Sequence, residues 1–215
     1  GKDILKLVNI SLEDLYNGNT LILTYDTQIL NPNCKKCTNC NGKGKIQIMQ
    51  QLGPMVVQSL DYCSECNGQG YHNIYLPHIE TVEINIPKGY DYNEKMHVQN
   101  KGLPLLNGVN GDLILSFNLN KHLSYKLKNK DLYIVLDISL KESLLGFIKG
   151  ITHLDKRMLT ISSEDIIKPS TIRCIDNEGI YDSKTGQYGN LYLKFKIVYP
   201  NSLSQEQRDI IDKYF

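Results

Sequence analysis

The sequence has no tryptophan, and its other aromatics are 14 tyrosines and four phenylalanines. It has no surplus of either charge: 24 Lys and Arg against 23 Asp and Glu leave a net +1. That balance argues against a dedicated nucleic-acid binder, which carries a clear basic excess. No run of about 18 apolar residues is present, so no transmembrane helix is expected. No secretory or transit signal opens the chain as given, and Gly1 reads as a boundary whose natural start lies upstream. There is no Ser-His-Asp order, P-loop or dinucleotide fingerprint. Glu13, Asp14, Glu142, Glu164 and Asp165 read as solvated or capping acids, so no enzymatic activity is expected. Abundant Asn, Lys, Ile, Leu and Tyr together with the absent Trp read as compositional bias rather than as function. Apolar residues make up 41% of the 215, enough for a core without disulfides.

Cysteine is scarce, and its placement is informative. Five of the six cysteines fall within 33 positions, and Cys174 stands alone. Cys37-Thr-Asn-Cys40-Asn-Gly42-Lys-Gly44 and Cys63-Ser-Glu-Cys66-Asn-Gly68-Gln-Gly70 repeat one pattern, C-x-x-C-x-G-x-G, 26 positions apart. Two such knuckles supply four thiolates, which close a tetrahedral zinc site with no position left for substrate. One Zn²⁺ held by Cys37, Cys40, Cys63 and Cys66 is therefore expected, with a structural role. The glycines suit a chain that bends round a metal, because Gly reaches positive φ at little cost. Cys34-x-x-Cys37 offers a shifted ligand set, but the glycines follow Cys40. A dithiol redox pair, as in a zinc-containing thiol-disulfide oxidoreductase, is the alternative chemistry, and a non-chaperone protein-interaction scaffold is the alternative without chemistry. Free cysteines at metal spacing fit a reducing compartment, so a cytoplasmic location is expected.

The rest of the chain reads mostly as strands. Asp3 to Ile10, Thr81 to Ile86 and Gly111 to Leu119 alternate apolar and polar residues. Thr20 to Leu30 reads as a long strand. Lys45–Gln51 and Met55–Leu60, separated by Leu52-Gly53-Pro54, read as a hairpin between the knuckles. Ser11-Leu-Glu-Asp14 starts a short helix that Asn17-Gly18 stops. Ser139 to Leu145 reads as another, and Ser202 to Phe215 as a terminal amphipathic helix capped by Ser202 or Ser204. Gly111-Asp-Leu-Ile-Leu-Ser-Phe117 is echoed 78 residues later by Gly189-Asn-Leu-Tyr-Leu-Lys-Phe195. That repeat implies an internal duplication.

The fold class expected is mostly β: two tandem sandwich-like subdomains, a zinc hairpin inserted in the first, short helices and a C-terminal helix. The expected boundaries are 1–30 with 77–123 for the first subdomain, 31–76 for the insert, 124–200 for the second subdomain and 201–215 for the last helix.

Ser11-Leu-Glu-Asp-Leu-Tyr-Asn-Gly18, the two knuckles, Gly53-Pro54-Met55, Ile86-Pro-Lys-Gly89, Lys101-Gly-Leu-Pro104, the two Gly-Asp/Asn-Leu segments and Leu203-Ser-Gln-Glu-Gln207 occur in one order. In these segments the chain resembles the C-terminal client-binding region of type I Hsp40 (DnaJ-like) co-chaperones along nearly its whole length. Such proteins usually carry four knuckles and two zinc ions; the two here look like the inner pair. None of the five histidines precedes proline, so the His-Pro-Asp of a J-domain is absent from this stretch and is expected upstream.

The resemblance implies a protein that binds unfolded polypeptides and presents them to Hsp70. It implies an apolar client groove lined by Ile4, Leu23, Tyr25, Val82 and Leu115, with the client added along a strand edge. Tyr25 departs from the aliphatic residue relatives tend to have there. The resemblance also implies a homodimer through Ile210, Ile211, Tyr214 and Phe215 of the last helix. Met49, Leu52, Met55, Val56 and Val57 near the hairpin turn are candidates for a secondary client contact. Neither a nucleic acid nor a membrane is expected as a partner.

Overall fold

The computed structural model describes residues 1–52, 55–106 and 108–215. Gly53-Pro54 and the side chains of Leu52, Met55 and Val57 lie outside the described residues. The chain runs through β1 (Ile4–Ile10), α1 (Leu12–Asn17), β2 (Asn19–Leu30), β3 (Lys35–Lys36), β4 (Lys45–Leu52), β5 (Met55–Tyr62), β6 (Tyr71–His72) and β7 (Tyr75–Ile86). It continues through β8 (Met96–Val98), β9 (Leu113–Leu119), β10 (Tyr125–Lys128), β11 (Asp131–Ser139), α2 (Leu140–Leu145) and β12 (Phe147–Thr152). The last elements are β13 (Met158–Ser163), β14 (Ile172–Ile175), β15 (Tyr181–Asp182), β16 (Gln187–Tyr188), β17 (Leu191–Val198) and α3 (Gln205–Tyr214). Strands hold 47% of the residues, which makes the protein mostly β, with short helices and one at the C-terminus. No helix among the described residues is long and apolar enough to cross a membrane.

The internal duplication is visible in the hydrogen bonds. One copy orders its strands β1-β9-β8, and the other carries the series β11-β17-β14 inside a four-stranded sheet closed by β10. Ser11 caps α1 in a reciprocal box with Asp14, and Ser139 caps α2 in the same way with Glu142. Each box satisfies two helix-end donors that would otherwise be orphaned. Gly18 and Gly146 end the two helices with φ of 75° and 89°. Gly102 N–H donates to Gly111 O at 2.7 Å, and Gly179 N–H to Gly189 O at 2.8 Å. Between the equivalent strands, β12 and β13 form a plain hairpin, whereas β2 and β7 are separated by the whole cysteine segment.

The chain divides into two compact units. The first comprises Gly1–Val8, Ile22–Glu83 and Glu94–Ser116; the second comprises Asn9–Leu21, Ile84–Asn93 and Phe117–Phe215. The division runs through β1, β2, β7 and β9. The core of the second unit is built on Leu132, Ile138, Ile180, Leu191, Leu193 and Phe195, all fully buried, joined by Leu12, Leu15 and Tyr16 of α1. Each such side chain contributes about 1.5–3 kcal/mol by leaving water. Parallel pairing of β11 with β17, from Leu132↔Leu191 to Ser139↔Val198, sets Leu132, Ile138, Leu191, Leu193 and Phe195 on one inner face. The first unit buries Val8, Tyr25, Val82, Leu113 and Leu115, and separately its four knuckle cysteines.

A four-cysteine centre and an apolar strand edge

The two knuckles fold as near copies about a common centre. Cys37 N–H donates to Gly70 O, and Cys63 N–H to Gly44 O, both at 2.9 Å. These two bonds tie the start of each knuckle to the end of the other. Within each, the chain turns through left-handed backbone: Asn41 and Gly42 at φ 50° and 82°, Asn67 and Gly68 at 50° and 79°. Gly44 and Gly70 are also at positive φ, 71° and 80°. A Cβ on Gly44 would lie 2.2 Å from Gly68 O, and one on Gly70 would lie 2.5 Å from Gly42 O. Both conformation and space therefore require glycine.

That backbone brings four sulfurs together. Cys37 and Cys63 Sγ are 3.8 Å apart, Cys40 and Cys66 Sγ 3.7 Å, and all four lie within 4.8 Å of one another. A tetrahedral ion with Zn–S bonds of about 2.3 Å places its ligands about 3.8 Å apart. The residues present thus fit zinc. None of the four is more than 5% exposed. Gly44 N–H and Gly70 N–H donate to Cys40 Sγ and Cys66 Sγ at 3.2 and 3.1 Å, and Asn39 Nδ2 donates to Cys63 Sγ at 3.5 Å. Amide donors of this kind stabilise negative sulfur and fix its position. Cys34 is half-buried and belongs to neither candidate metal-ligand group among the described residues. Cys37 also lies close to Glu65 and His72. No pattern in the sequence marked that grouping, because it depends on β3 pairing with β6, which sets Lys35 opposite His72.

The five candidate groove residues fall on four strands: Ile4 in β1, Leu23 and Tyr25 in β2, Val82 in β7 and Leu115 in β9. Leu115 is fully buried, and Tyr25 and Val82 are 4% and 6% exposed. Ile4 and Leu23 are half-buried, so these two have surface to offer. The Tyr25 hydroxyl donates to Lys101 O at 2.7 Å, which ties it within its own unit. Burial, and then the Glu80 carboxylate, push its pKa above the usual phenol range. Glu80 itself accepts from Lys101 Nζ at 2.8 Å, and that hydrogen bond holds its carboxyl below the ordinary value. Leu5, Leu7 and Ile22, on the alternate positions of β1 and β2, are about two-thirds or more exposed. The sequence signals for them were the runs Ile4-Leu5-Lys6-Leu7-Val8 and Leu21-Ile22-Leu23: apolar neighbours in one strand cannot all face one core. β1 stands at the end of its sheet order, and β2 pairs with β7 alone, so each has one edge without a strand partner among the described residues.

In α3, which Ser204 caps in a box with Gln207, no residue is buried. Ile210, Ile211, Tyr214 and the following Phe215 are 53%, 42%, 69% and 95% exposed. Beside them is an apolar cleft of about 580 Å³ lined by Leu140, Leu144, Val198, Tyr199, Leu203 and Ile210. In the hairpin, Met49 and Val56 are exposed.

Comparison with known proteins agrees with this geometry. The family described as "DnaJ C terminal domain" matches residues 5–200. The chain is 30% identical over 239 residues to "Chaperone protein dnaJ 2" of Arabidopsis thaliana, covering 99% of this chain and 57% of that protein. It is 31% identical to "Chaperone protein dnaJ A6" of Oryza sativa subsp. japonica, covering 96% and 56%. It is 29% identical to "DnaJ protein ERDJ3B" of Arabidopsis thaliana, covering 100% and 61%. The chain thus spans about three-fifths of the length of these curated relatives. By its matched length and its knuckle architecture, it belongs to the DnaJ C terminal domain family.

Proposed function

We propose that this chain is the client-holding part of an Hsp40-type co-chaperone. It binds unfolded polypeptides and, within a longer protein, presents them to Hsp70. The observation that carries this reading is the pair of strand edges on β1 and β2 that have no strand partner among the described residues, flanked by Ile4, Leu23 and the exposed Leu5, Leu7 and Ile22. Backbone N–H and C=O groups on an open edge bind any extended segment, whatever its sequence. Apolar side chains beside them favour segments that ought to be inside a folded protein. The chain performs no bond-making step in this role. Leu115, Val82 and Tyr25 support the groove from beneath, as core residues.

Zinc, one ion at the four-sulfur centre of each chain, supplies structure by closing that centre, and a reducing compartment such as the cytoplasm keeps the thiols available for it. The exposed face of α3 pairs with a second copy through Ile210, Ile211, Tyr214 and Phe215. Two holding sites on one dimer would then engage one client with raised effective concentration.

The test is suppression of aggregation of a denatured client by the purified chain. Ile4→Asp and Leu23→Asp, both at half-buried positions that tolerate a carboxylate better than Leu115 does, are expected to weaken suppression at least several-fold with the circular dichroism spectrum unchanged. Full suppression by both variants contradicts the edge as the holding site. The alternative, a thiol oxidoreductase, predicts disulfide turnover by Cys37 and Cys40 in the same preparation, whereas four protected thiols with one zinc at their centre count against it; a non-chaperone scaffold predicts no preference for unfolded over native partners.

A further inference from the structure

We infer that the knuckles carry a second metal position, formed by Cys37 Sγ, a Glu65 carboxylate oxygen and a His72 imidazole nitrogen. These three ligand atoms lie within 4.8 Å of one another. Cys37 belongs to this group and to the four-sulfur group alike. A metal-bound thiolate keeps lone pairs, so one sulfur can bridge two ions.

The backbone presents these donors together for reasons independent of any ion. Cys37 N–H donates to Gly70 O at 2.9 Å, and β3 pairs with β6 through Lys35↔His72 and Lys36↔Tyr71. Those bonds hold the His72 strand beside Cys37. Glu65 lies between Cys63 and Cys66 of the second knuckle, whose turn is fixed by Gly68 N–H to Cys63 O at 3.0 Å. Glu65 is exposed and His72 half-buried, whereas the four sulfurs are buried. This position is therefore the solvent side of the centre. Electrostatics favour it as well: a divalent ion with four thiolates carries net charge −2, and a second cation beside it offsets that charge. Lys35 and Lys36 on β3 are exposed, which lets their charges remain in water.

One thiolate, one imidazole and one carboxylate select borderline divalent ions such as Zn²⁺, Co²⁺ or Cd²⁺ over Mg²⁺ or Ca²⁺, which take oxygen ligands. Three protein ligands leave a fourth position for water, the arrangement of an exchangeable rather than a closed site. The inference rests on the four-sulfur reading for its shared ligand, and the two are separable by experiment.

The whole chain, reduced and metal-free, is titrated with ¹¹³Cd²⁺ and followed by native mass spectrometry and cadmium NMR. Two ions per chain are expected, in two steps, with two resonances: one from four sulfurs, the other shifted by nitrogen and oxygen ligands. His72→Ala and Glu65→Gln, alone and together, are expected to lose the second ion by at least tenfold in affinity while the first binds as before. A single ion per chain at excess cadmium overturns the proposal and leaves the four-sulfur centre standing. A second ion retained by the double variant also overturns it, because the ion is then adventitious. No bound ion at all overturns both readings.

Discussion

At the scale of residues, Gly44 and Gly70 test the geometry of the metal centre most sharply. Either one changed to alanine combines a positive φ with a Cβ at 2.2 or 2.5 Å from a carbonyl oxygen. The same substitution displaces the N–H that donates to Cys40 or Cys66 sulfur. Metal affinity should fall about 10–100-fold, as it does when outer-shell donors are lost, and competition with a chromogenic chelator measures it. His153 carries a second residue-scale prediction. Its side chain is wholly buried, with Nδ1 3.4 Å from the Tyr125 hydroxyl, the Tyr16 ring edge-on at 4.8 Å and Nε2 3.4 Å from Glu178 without hydrogen-bond alignment. Burial pushes its pKa below the ordinary histidine value, against the opposing pull of Glu178 and Asp155 and with a further downward push from Arg157. The folded state then binds fewer protons than the unfolded one below the ordinary histidine pKa of about 6.5. This contribution to stability is complete above that pH and is lost as pH falls through the depressed value. Thermal unfolding should therefore show a stability loss as the pH is lowered below about 6.5 that is smaller in His153→Gln. The knuckle glycines were legible in the sequence because their spacing encodes their conformation. His153 was not, because a lone histidine in a β-rich chain carries no local sign of burial.

At the scale of elements, the duplicated capping boxes make a paired prediction. Ser139→Ala removes the Oγ that accepts from Glu142 N–H and leaves only the bond from the residue-139 N–H to the Glu142 carboxylate, so half of the box is lost. The loss should be about 0.5–2 kcal/mol in urea unfolding. Ser11→Ala should cost a similar amount, since Ser11 and Asp14 make the same two bonds. The hairpin of β4 and β5 behaves differently. Among the described residues it forms a two-stranded sheet, and such a pair is marginal alone in water. Removing the ion with a chelator should raise hydrogen exchange throughout β4 and β5 and leave β11 and β17 protected. Equal protection in both states would mean that the metal does not hold the hairpin. Strand alternation, the Ser-capped helices and the repeated Gly-Asn/Asp-Leu segments made these elements readable from the residues. The short ladder β3–β6 was not readable, because two-residue strands carry no periodicity, and with it the approach of His72 to Cys37 stayed hidden.

At the scale of the whole molecule, the repeat in sequence is a repeat in hydrogen bonding, yet the compact units do not follow it. α1 of the first copy packs its Leu12, Leu15 and Tyr16 in the same core as Leu132 and Phe195. Which core a short amphipathic helix joins depends on tertiary packing, and its own pattern states only that one face is apolar. The proposed groove residues show the same limit: alternation marked Leu115 and Ile4 alike as inward-facing, and only the assembled sheets separate a fully buried residue from a half-buried one. For α3, Tyr214→Asp with Ile210→Asp should convert a dimer to a monomer in sedimentation without loss of folded signal. The central claim, that unfolded chains are held along the open edges of β1 and β2, is tested most directly by backbone hydrogen exchange with and without an unfolded, apolar client peptide. Slowed exchange concentrated in Ile4–Ile10 and Asn19–Leu30 is the predicted result. Protection confined to the β4–β5 hairpin or α3, or no protection at saturating peptide, would contradict it.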